Sequence, residues 1–128
     1  MNKHQNSSKD IVDILIPRMR NLKKEFFKIV LLNSQNRIID IFDTGEGTVN
    51  KANPIIREIF QKALQNYATS LMCVHNHPSC KTEPSREDRD FTKELYQAGN
   101  IMQVKVLDHV IIGDNEYFSF ADEGVVVH

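Results

Sequence analysis

An apolar run leads directly into two histidines near the middle of the chain: Thr69-Ser70-Leu71-Met72-Cys73-Val74-His75-Asn76-His77-Pro78. The run is short and ends in a β-branched residue, so it predicts a buried strand that presents His75 at its carboxyl edge. Side chains two positions apart leave an extended chain on the same face, so His75 and His77 should point together while Asn76 points away. Two neutral imidazoles aimed at one place suit zinc or another borderline transition metal.

A helix with an acidic residue on its inward face is predicted to follow. Its apolar residues recur at helical spacing: Phe91, Leu95, Ala98. Asp88 lies three residues before Phe91 and seven before Leu95, which places its carboxylate on the inward face. A buried carboxylate without a partner is costly, and the loop 79–84 is long enough to fold the helix start toward the histidines. His75, His77 and Asp88 then form three protein ligands with a vacant fourth position, the pattern of a catalytic zinc site.

Each of these residues also has an ordinary structural interpretation. Ser85 followed by Asp88 matches a helix capping box, which alone could explain that pair. Taken singly, His75 or His77 is more often a strand-end or loop histidine than a ligand. The joint pattern favours the metal, because capping does not require two histidines on a buried strand just upstream. Ser85 could cap the helix or hydrogen-bond a developing oxyanion, and we favour the second role.

The same residues resemble the motif of a known family. His-x-His-Pro with a downstream Ser-x-x-Asp resembles the JAMM motif of the JAB/MPN metalloprotease superfamily. The residues within and around the motif are more similar still to the bacterial RadC-like branch of that superfamily. The similarity extends over most of the chain, through segments in the family order: Glu25-Phe26-Phe27, Arg57-Glu58-Ile59-Phe60, 74–79, 84–88 and 107–113. Cys80 departs from the glycine that the family usually has there. The family also normally carries an N-terminal helix-hairpin-helix region, for which this sequence has no room.

The resemblance implies a fold, a mechanism and a substrate class. It implies the MPN fold, a cytidine-deaminase-like α/β domain with a mixed sheet flanked by helices. It also implies that Glu25, which begins the first core strand, is the general acid/base and that the substrate is a protein or peptide. A zinc hydrolase that cleaves a peptide or isopeptide amide bond with activated water follows. Glu58 is the rival base, but it falls off the predicted inward stripe of its helix.

Several alternatives are set against this interpretation. His109 is an outer partner of the site or a plain strand histidine, and we favour the plain interpretation. Cys80 could touch the metal, although two histidines and an aspartate already complete a catalytic set. The adjacent letters His-Asn-His do not indicate an HNH nuclease, whose residues are dispersed over a ββα-metal unit. A nucleobase deaminase would need His-x-Glu and Pro-Cys-x-x-Cys ligands, which the sequence lacks.

A different class of function stays open. The RadC name has traditionally implied DNA repair, so the alternative is a non-catalytic DNA-repair accessory or protein-interaction module. The presence of all three ligands favours the enzyme, but ligands indicate metal binding and not turnover.

Composition sets limits on class and location. The 128 residues are 41% hydrophobic, which is enough for one core, and the net charge of -1 does not support nucleic acid as a partner. No run is long enough to span a bilayer, and residues 1–9 lack a signal-peptide core. Cys73 and Cys80 are not expected to pair, which fits a reducing cytoplasm. The oligomeric state is left open.

The remaining elements are predicted from periodicity and turn signals. The N-terminal half begins with a helix from Asp10 to Ile16, which Pro17 ends or kinks. Strands 26–32 and 37–42 follow, joined by a turn at 33–36. A looser stretch flanked by Gly45 and Gly47 then leads to a helix that Asn53 caps. The inward stripe of that second helix is Ile56, Ile59, Phe60, Ala63 and Tyr67. In the C-terminal half, Gly99 and Asn100 end the Asp88 helix, and strands follow at 102–112 and 117–120. We expect an N-terminal extension and helix at 1–24 and the RadC-like domain at 25–128.

Overall fold

A computed structural model describes residues 8–46 and 52–124 of the chain. Within them, helices and strands alternate as the sequence predicts. In chain order these elements are α1 Ser8–Met19, β1 Phe26–Leu32, β2 Ile38–Glu46, α2 Ala52–Gln65, β3 Ser70–Asn76, α3 Arg86–Met102, β4 Lys105–Ile112 and β5 Tyr117–Ser119. In the part of the chain so described, no helix is both long and apolar enough to cross a membrane.

The strands form one mixed five-stranded sheet in the order β2-β1-β3-β4-β5. β1 is antiparallel to both β2 and β3, β3 is parallel to β4, and β4 is antiparallel to β5. A parallel neighbour needs a crossover connection, and α3 supplies it between β3 and β4. The central strand β3 is buried along its whole length, which requires cover on both faces of the sheet. The mixed α/β fold with flanking helices is therefore confirmed.

Two apolar clusters supply this cover. α2 and α3 pack on one face through a cluster that includes Ile59, Phe91 and Leu95. α1 packs on the opposite face through a cluster that includes Leu15 and Met19. The division of the chain at residues 24 and 25 stays a prediction.

The first helix passes through Pro17 and continues to Met19, so the expectation that Pro17 ends it at Ile16 is wrong, while a kink there stays a prediction. Proline removes one backbone hydrogen bond in a helix interior and crowds the preceding turn. Met19 is fully buried against the sheet, and the amide of Arg20 still donates to the carbonyl of Ile16 at 2.9 Å. Burial of Met19 outweighs the lost bond.

The third helix also runs past its predicted stop signals, Gly99 and Asn100, and ends at Met102. A Cβ on Gly99 would lie 2.6 Å from the carbonyl oxygen of Val104 and 2.8 Å from the Val106 side chain. Gly99 therefore permits a close approach between α3 and the following chain. The helix stops at Gln103 instead, which adopts the left-handed conformation with φ of 59°.

The second helix begins at Ala52, one residue before the predicted cap Asn53. Pro54 then lies in the first turn of the helix. Proline is tolerated there, because the amides of that turn have no partner within the helix. Ile59, Phe60 and Ala63 are buried as predicted, but Tyr67 is 88% exposed. The helix ends at Gln65, before the turn that would bring Tyr67 to the inward face.

The strands lie where the sequence predicts them, with differences at their ends. β1 spans the predicted residues, and the turn at 33–36 is closed by the amide of Asn36 donating to the carbonyl of Asn33. β2 continues through Gly45 to Glu46, and the rest of the looser stretch, 47–51, lies outside the described residues. β4 begins at Lys105 rather than at residue 102, because α3 occupies that segment, and β5 ends one residue early.

Candidate metal centre

Four side chains of the metal-ligating types meet where the end of β3 approaches the start of α3. His75 is the second-to-last residue of strand β3, and His77 follows the end of the strand. β1 runs antiparallel to β3 with Phe27 opposite His75, so Glu25, just before β1, lies beside the two histidines. Asp88 is in the first turn of α3 and faces inward. One potential ligand atom from each of the four residues lies within 4.8 Å of the others.

The imidazole nitrogens and the aspartate are close together. The Nε2 atoms of His75 and His77 are 3.2 Å apart. Asp88 places Oδ1 at 3.3 Å from Nε2 of His75 and Oδ2 at 3.1 Å from Nε2 of His77. The predicted pairing of the two histidines on one face, and the inward direction of Asp88, are thereby confirmed.

These distances fit a small tetrahedral cation. Two ligand atoms about 2.05 Å from a tetrahedral zinc lie about 3.3 Å from each other. The two imidazole nitrogens are 3.2 Å apart, and Asp88 lies at a similar distance from each ring, with Oδ1 3.3 Å from His75 and Oδ2 3.1 Å from His77. Two carboxylates and two neutral imidazoles also carry a charge that a divalent cation would balance. The residues present therefore fit a divalent metal ion.

The backbone sets the protonation of His77. Its Nδ1 lies 2.8 Å from the carbonyl oxygen of Lys81. A carbonyl can only accept a hydrogen bond, so Nδ1 carries the hydrogen, and the Nε2 of a neutral ring offers a lone pair to the site. The hydrogen bond with Asp88 raises the pKa of His77 above its ordinary value. Asp88 thus favours a positive charge at Nε2 of His77, which a proton or a cation can supply.

Asp88 both caps the first turn of α3 and faces the two imidazoles. Its amide donates to Oγ of Ser85 at 3.0 Å, and the amide of Ser85 donates back to its Oδ2 at 2.8 Å, so the predicted capping box is confirmed. Burial raises the pKa of Asp88, but the nearby imidazoles of His75 and His77 outweigh burial and hold the pKa well below its ordinary value. The carboxylate is therefore charged, and it remains available on the side that faces the imidazoles.

Glu25 is the most open member of the group. Its side chain is 28% exposed, whereas those of His75 and Asp88 are 0% and 2% exposed. Its Oε2 is 3.3 Å from Nε2 of His75 but 3.9 Å from Nε2 of His77, so it stands to one side of the other three. Burial, and then the charge of Asp88, raise the pKa of Glu25. A carboxylate with a raised pKa at the solvent side of a metal site is suited to move protons.

Comparison with known proteins identifies the family. The family model of the RadC-like JAB domain matches residues 5–125. The chain belongs to the RadC-like JAB domain family. A UPF0758 protein of Caldanaerobacter subterraneus subsp. tengcongensis is 47% identical over 118 residues, which are 92% of this chain and 51% of that protein. A UPF0758 protein of Clostridioides difficile is 42% identical over 91% of this chain and 50% of its own length. The chain thus spans about half the length of these curated relatives.

Asn76, which the sequence analysis treated only as pointing away from the metal, fixes the position of Glu25 in this RadC-like domain. Its side-chain amide donates to the carbonyl of Lys24 at 2.9 Å, and its Oδ1 accepts from the amide of Phe26 at 2.8 Å. These two bonds hold the backbone on both sides of Glu25. Asn76 is buried, and its two bonds are partly buried, which limits the competition from water.

Of the other candidate residues of the RadC-like domain, one lies next to the site and two lie outside it. Ser85 is exposed at the start of α3, next to the site. Glu58 is exposed on α2 and, as predicted, lies off its inward stripe. Cys80 is also exposed and does not belong to the group of four, and neither it nor Cys73 forms a disulfide.

His109 is where the sequence interpretation is wrong. It is not a plain strand histidine, because its Nε2 lies 2.8 Å from Nδ1 of His75. Thr92 joins it from α3, with Oγ1 at 2.6 Å from Nδ1 of His109. Thr92 also escaped notice, although it follows Asp88 by four residues and so shares the inward face of α3.

Proposed function

We propose that this RadC-like domain is a zinc-dependent metallohydrolase that cleaves a peptide or isopeptide amide bond with water. One observation carries the proposal: ligand atoms of His75, His77 and Asp88 converge within the reach of a single cation, and Glu25 stands on the open side. Three protein ligands with one side left for solvent or substrate are the pattern of catalytic zinc. The family match supports the same conclusion, while the names of the relatives indicate no activity.

The ligand set favours zinc among the divalent metals. Two imidazole nitrogens and one carboxylate oxygen suit zinc better than calcium or magnesium, which prefer oxygen ligands. Held by His75, His77 and Asp88, zinc would lower the pKa of water toward about 7 and polarise a substrate carbonyl. The chain's own residues would supply the proton transfers and the orientation.

Glu25 is proposed as the general acid/base. Its carboxylate takes the proton that the attacking water loses as the new carbon–oxygen bond forms. It then gives that proton to the nitrogen that leaves as the amide bond breaks, so the products are a carboxylic acid and an amine. Its raised pKa suits both steps, because the carboxylate is a stronger base and its protonated form persists closer to neutral pH. Asn76 keeps it in place for this exchange.

Ser85 is proposed to stabilise the oxyanion of the tetrahedral intermediate. Its oxygen accepts the capping bond from Asp88, so its own hydroxyl hydrogen can donate outward. The residue is exposed beside the site, where a substrate carbonyl oxygen would lie. Capping and oxyanion stabilisation are thus compatible in one side chain.

The substrate class accompanies the proposed reaction, and the net charge and the cysteines bear on the partner and the location. A protein or peptide is the proposed substrate, and the net charge of -1 gives no support to a nucleic acid. The free thiols of Cys73 and Cys80 support a reducing compartment, so we place the domain in the cytoplasm.

The test is the substitution Glu25→Gln, with Glu58→Gln as the matched control on an exposed helix position. Both variants are loaded with zinc and assayed for metal content and for hydrolysis of a panel of peptide and isopeptide-linked fluorogenic substrates. We expect Glu25→Gln to keep its zinc and lose at least about 100-fold in rate, in the range typical of a general acid/base. Glu58→Gln should match the wild type.

Full activity in zinc-loaded Glu25→Gln would show that Glu25 is not the base. Absence of hydrolysis in the wild type, together with a DNA affinity that falls with salt, would favour the non-catalytic DNA-repair module instead.

A further inference from the structure

His109 and Thr92 lie on the side of the site opposite its opening. They link two of the proposed ligands, His75 and Asp88, through a continuous chain of hydrogen bonds. His109 on β4 contacts Nδ1 of His75 through its Nε2 at 2.8 Å, and its Nδ1 contacts Oγ1 of Thr92 at 2.6 Å. The hydroxyl of Thr92 donates to the backbone carbonyl of Asp88 at 2.7 Å. The chain starts at one proposed ligand and ends at the peptide of another.

The carbonyl at the end of this chain fixes the direction of every bond in it. A carbonyl oxygen can only accept, so the single hydroxyl hydrogen of Thr92 is committed to Asp88. Oγ1 of Thr92 must then accept from His109, which places a hydrogen on Nδ1 of His109. The Nε2 of a neutral His109 therefore has a lone pair and accepts from Nδ1 of His75.

The surroundings of His109 keep its ring neutral and still. The ring is completely buried. It stacks on Phe120 with a centroid distance of 5.0 Å, and the ring centroids of Phe91, edge-on, and Phe27, tilted, lie at 5.8 and 6.3 Å. A charged ring among aromatic side chains would be costly, and the contacts with three rings restrict its rotation.

We propose that His109 and Thr92 are positioning residues that set the tautomer of His75, so that its Nε2 presents a lone pair to the cation. The proposal rests on the proposed metal site. His77 reaches the same state by a shorter route, since its Nδ1 donates directly to the carbonyl of Lys81. His75 lies deeper, where its ring stacks on Phe27 at 4.4 Å, and the side chains of His109 and Thr92 supply the acceptor that the backbone supplies to His77. Both proposed histidine ligands thus have their hydrogen on the nitrogen that faces away from the site.

The chain also joins the elements that carry the ligands. His75 is on β3, His109 is on β4, and Thr92 and Asp88 are on α3, one helical turn apart. A shift of α3 along the sheet would break the bond between Thr92 and His109 and release the ring of His75. The spacing of His75 and Asp88 is therefore coupled to the orientation of the ring.

The test compares Thr92→Val with Thr92→Ser. Valine keeps the shape of threonine and removes the hydroxyl, whereas serine keeps the hydroxyl. The first readout is the ring tautomer of His75 in the metal-free protein, measured from two-bond 1H–15N couplings by NMR at neutral pH. The second is zinc affinity, measured by competition with a chelator. A third variant, His109→Phe, removes the acceptor from His75 while keeping an aromatic ring in the cluster.

We expect Nδ1-protonated His75 in the wild type and in Thr92→Ser. In Thr92→Val, His109 loses its acceptor, so a mixture of tautomers should appear at His75. Zinc affinity should fall about 10- to 100-fold in Thr92→Val and in His109→Phe, the usual effect of removing a partner behind a metal ligand.

Nε2-protonated His75 in the metal-free wild type would overturn the proposal. An unchanged tautomer and unchanged zinc affinity in both Thr92→Val and His109→Phe would overturn it as well. Neither readout measures hydrolysis, so absence of hydrolysis with these results intact would count against the proposed reaction alone.

Discussion

Asp88 and Asp108 are both buried carboxylates, and their surroundings are opposite in kind. Asp108 accepts from the amide of His109 at 2.7 Å, from the amide of Ala121 at 2.9 Å and from the hydroxyl of Ser119. Its charge is met by hydrogen-bond donors of its own chain, which is how buried carboxylates are ordinarily stabilised. Asp108 thus fastens the chain that follows β5 to β4.

Asp88 has one backbone donor, the amide of Ser85, and otherwise faces two imidazole nitrogens. Hydrogen bonds on the far side of each ring direct the Nε2 lone pairs of His75 and His77 at the carboxylate. Lone pairs and a carboxylate repel one another unless a proton or a cation lies between them. A buried carboxylate met by donors is structural, and one met by lone pairs indicates a cation site.

The largest effect that separates the two carboxylates concerns metal binding. We expect Asp88→Asn to lose more than about 100-fold in zinc affinity, since a direct ligand contributes more than a residue behind one. Asp108→Asn should bind zinc within a few-fold of the wild type. Chelator competition on the two purified variants measures this. Equal losses in both would remove the distinction drawn between the two sites.

The free energy of unfolding should fall more in Asp108→Asn than in Asp88→Asn, the reverse of the order for zinc affinity. In Asp108→Asn, an amide NH2 group would face buried donors, so the free energy of unfolding of the metal-free protein should fall by about 2 to 4 kcal/mol. In Asp88→Asn, the amide oxygen can still accept from Ser85, and the expected loss is below about 1 kcal/mol. Denaturant titrations with a chelator present give both values. A larger loss in Asp88→Asn would contradict the account.

The pH dependence of zinc binding should follow His77. Its pKa is raised, so it holds a proton at a higher pH than an ordinary histidine does, and zinc must displace that proton. Zinc affinity should therefore be fully developed above the raised pKa and fall as the pH decreases through it. Asp108→Asn, whose carboxylate lies outside the site, should give the same profile. A flat profile between about pH 5 and pH 8, the range in which histidines titrate, would contradict the role of His77.

The smallest expected effect is at Ser85. Removing its cap in Ser85→Ala should lower the free energy of unfolding by about 1 kcal/mol, whereas Ser85→Thr keeps the capping oxygen. Both variants should keep zinc affinity, because Ser85 touches Asp88 and not the cation. Thermal unfolding and chelator competition measure the two quantities. A loss of zinc affinity in Ser85→Ala as large as in Asp88→Asn would place the serine among the ligands.

The proposed ligands were predictable because their positions depend on local geometry. Alternation along a strand places His75 and His77 on one face, and helical spacing turns Asp88 inward. The helix cap at Ser85 is also a local pattern. These three relations need no knowledge of which elements are neighbours.

His109 was not predictable by the same means. Its contact with His75 depends on the register of β3 against β4, which pairs Cys73 with His109 and includes an irregularity between Leu71 and Met72. A register is set by packing across the sheet and not by either strand alone. The ends of α1 and α3 escaped prediction for a related reason, since burial of Met19 and close packing at Gly99 override the local signals of proline and glycine.

Metal content tests the central claim most directly. The protein is purified without added metal and analysed for elements, beside His77→Ala and the surface control Glu58→Ala. The account predicts close to one zinc per chain in the wild type and in Glu58→Ala, and almost none in His77→Ala. Equal metal content in the wild type and His77→Ala would contradict it.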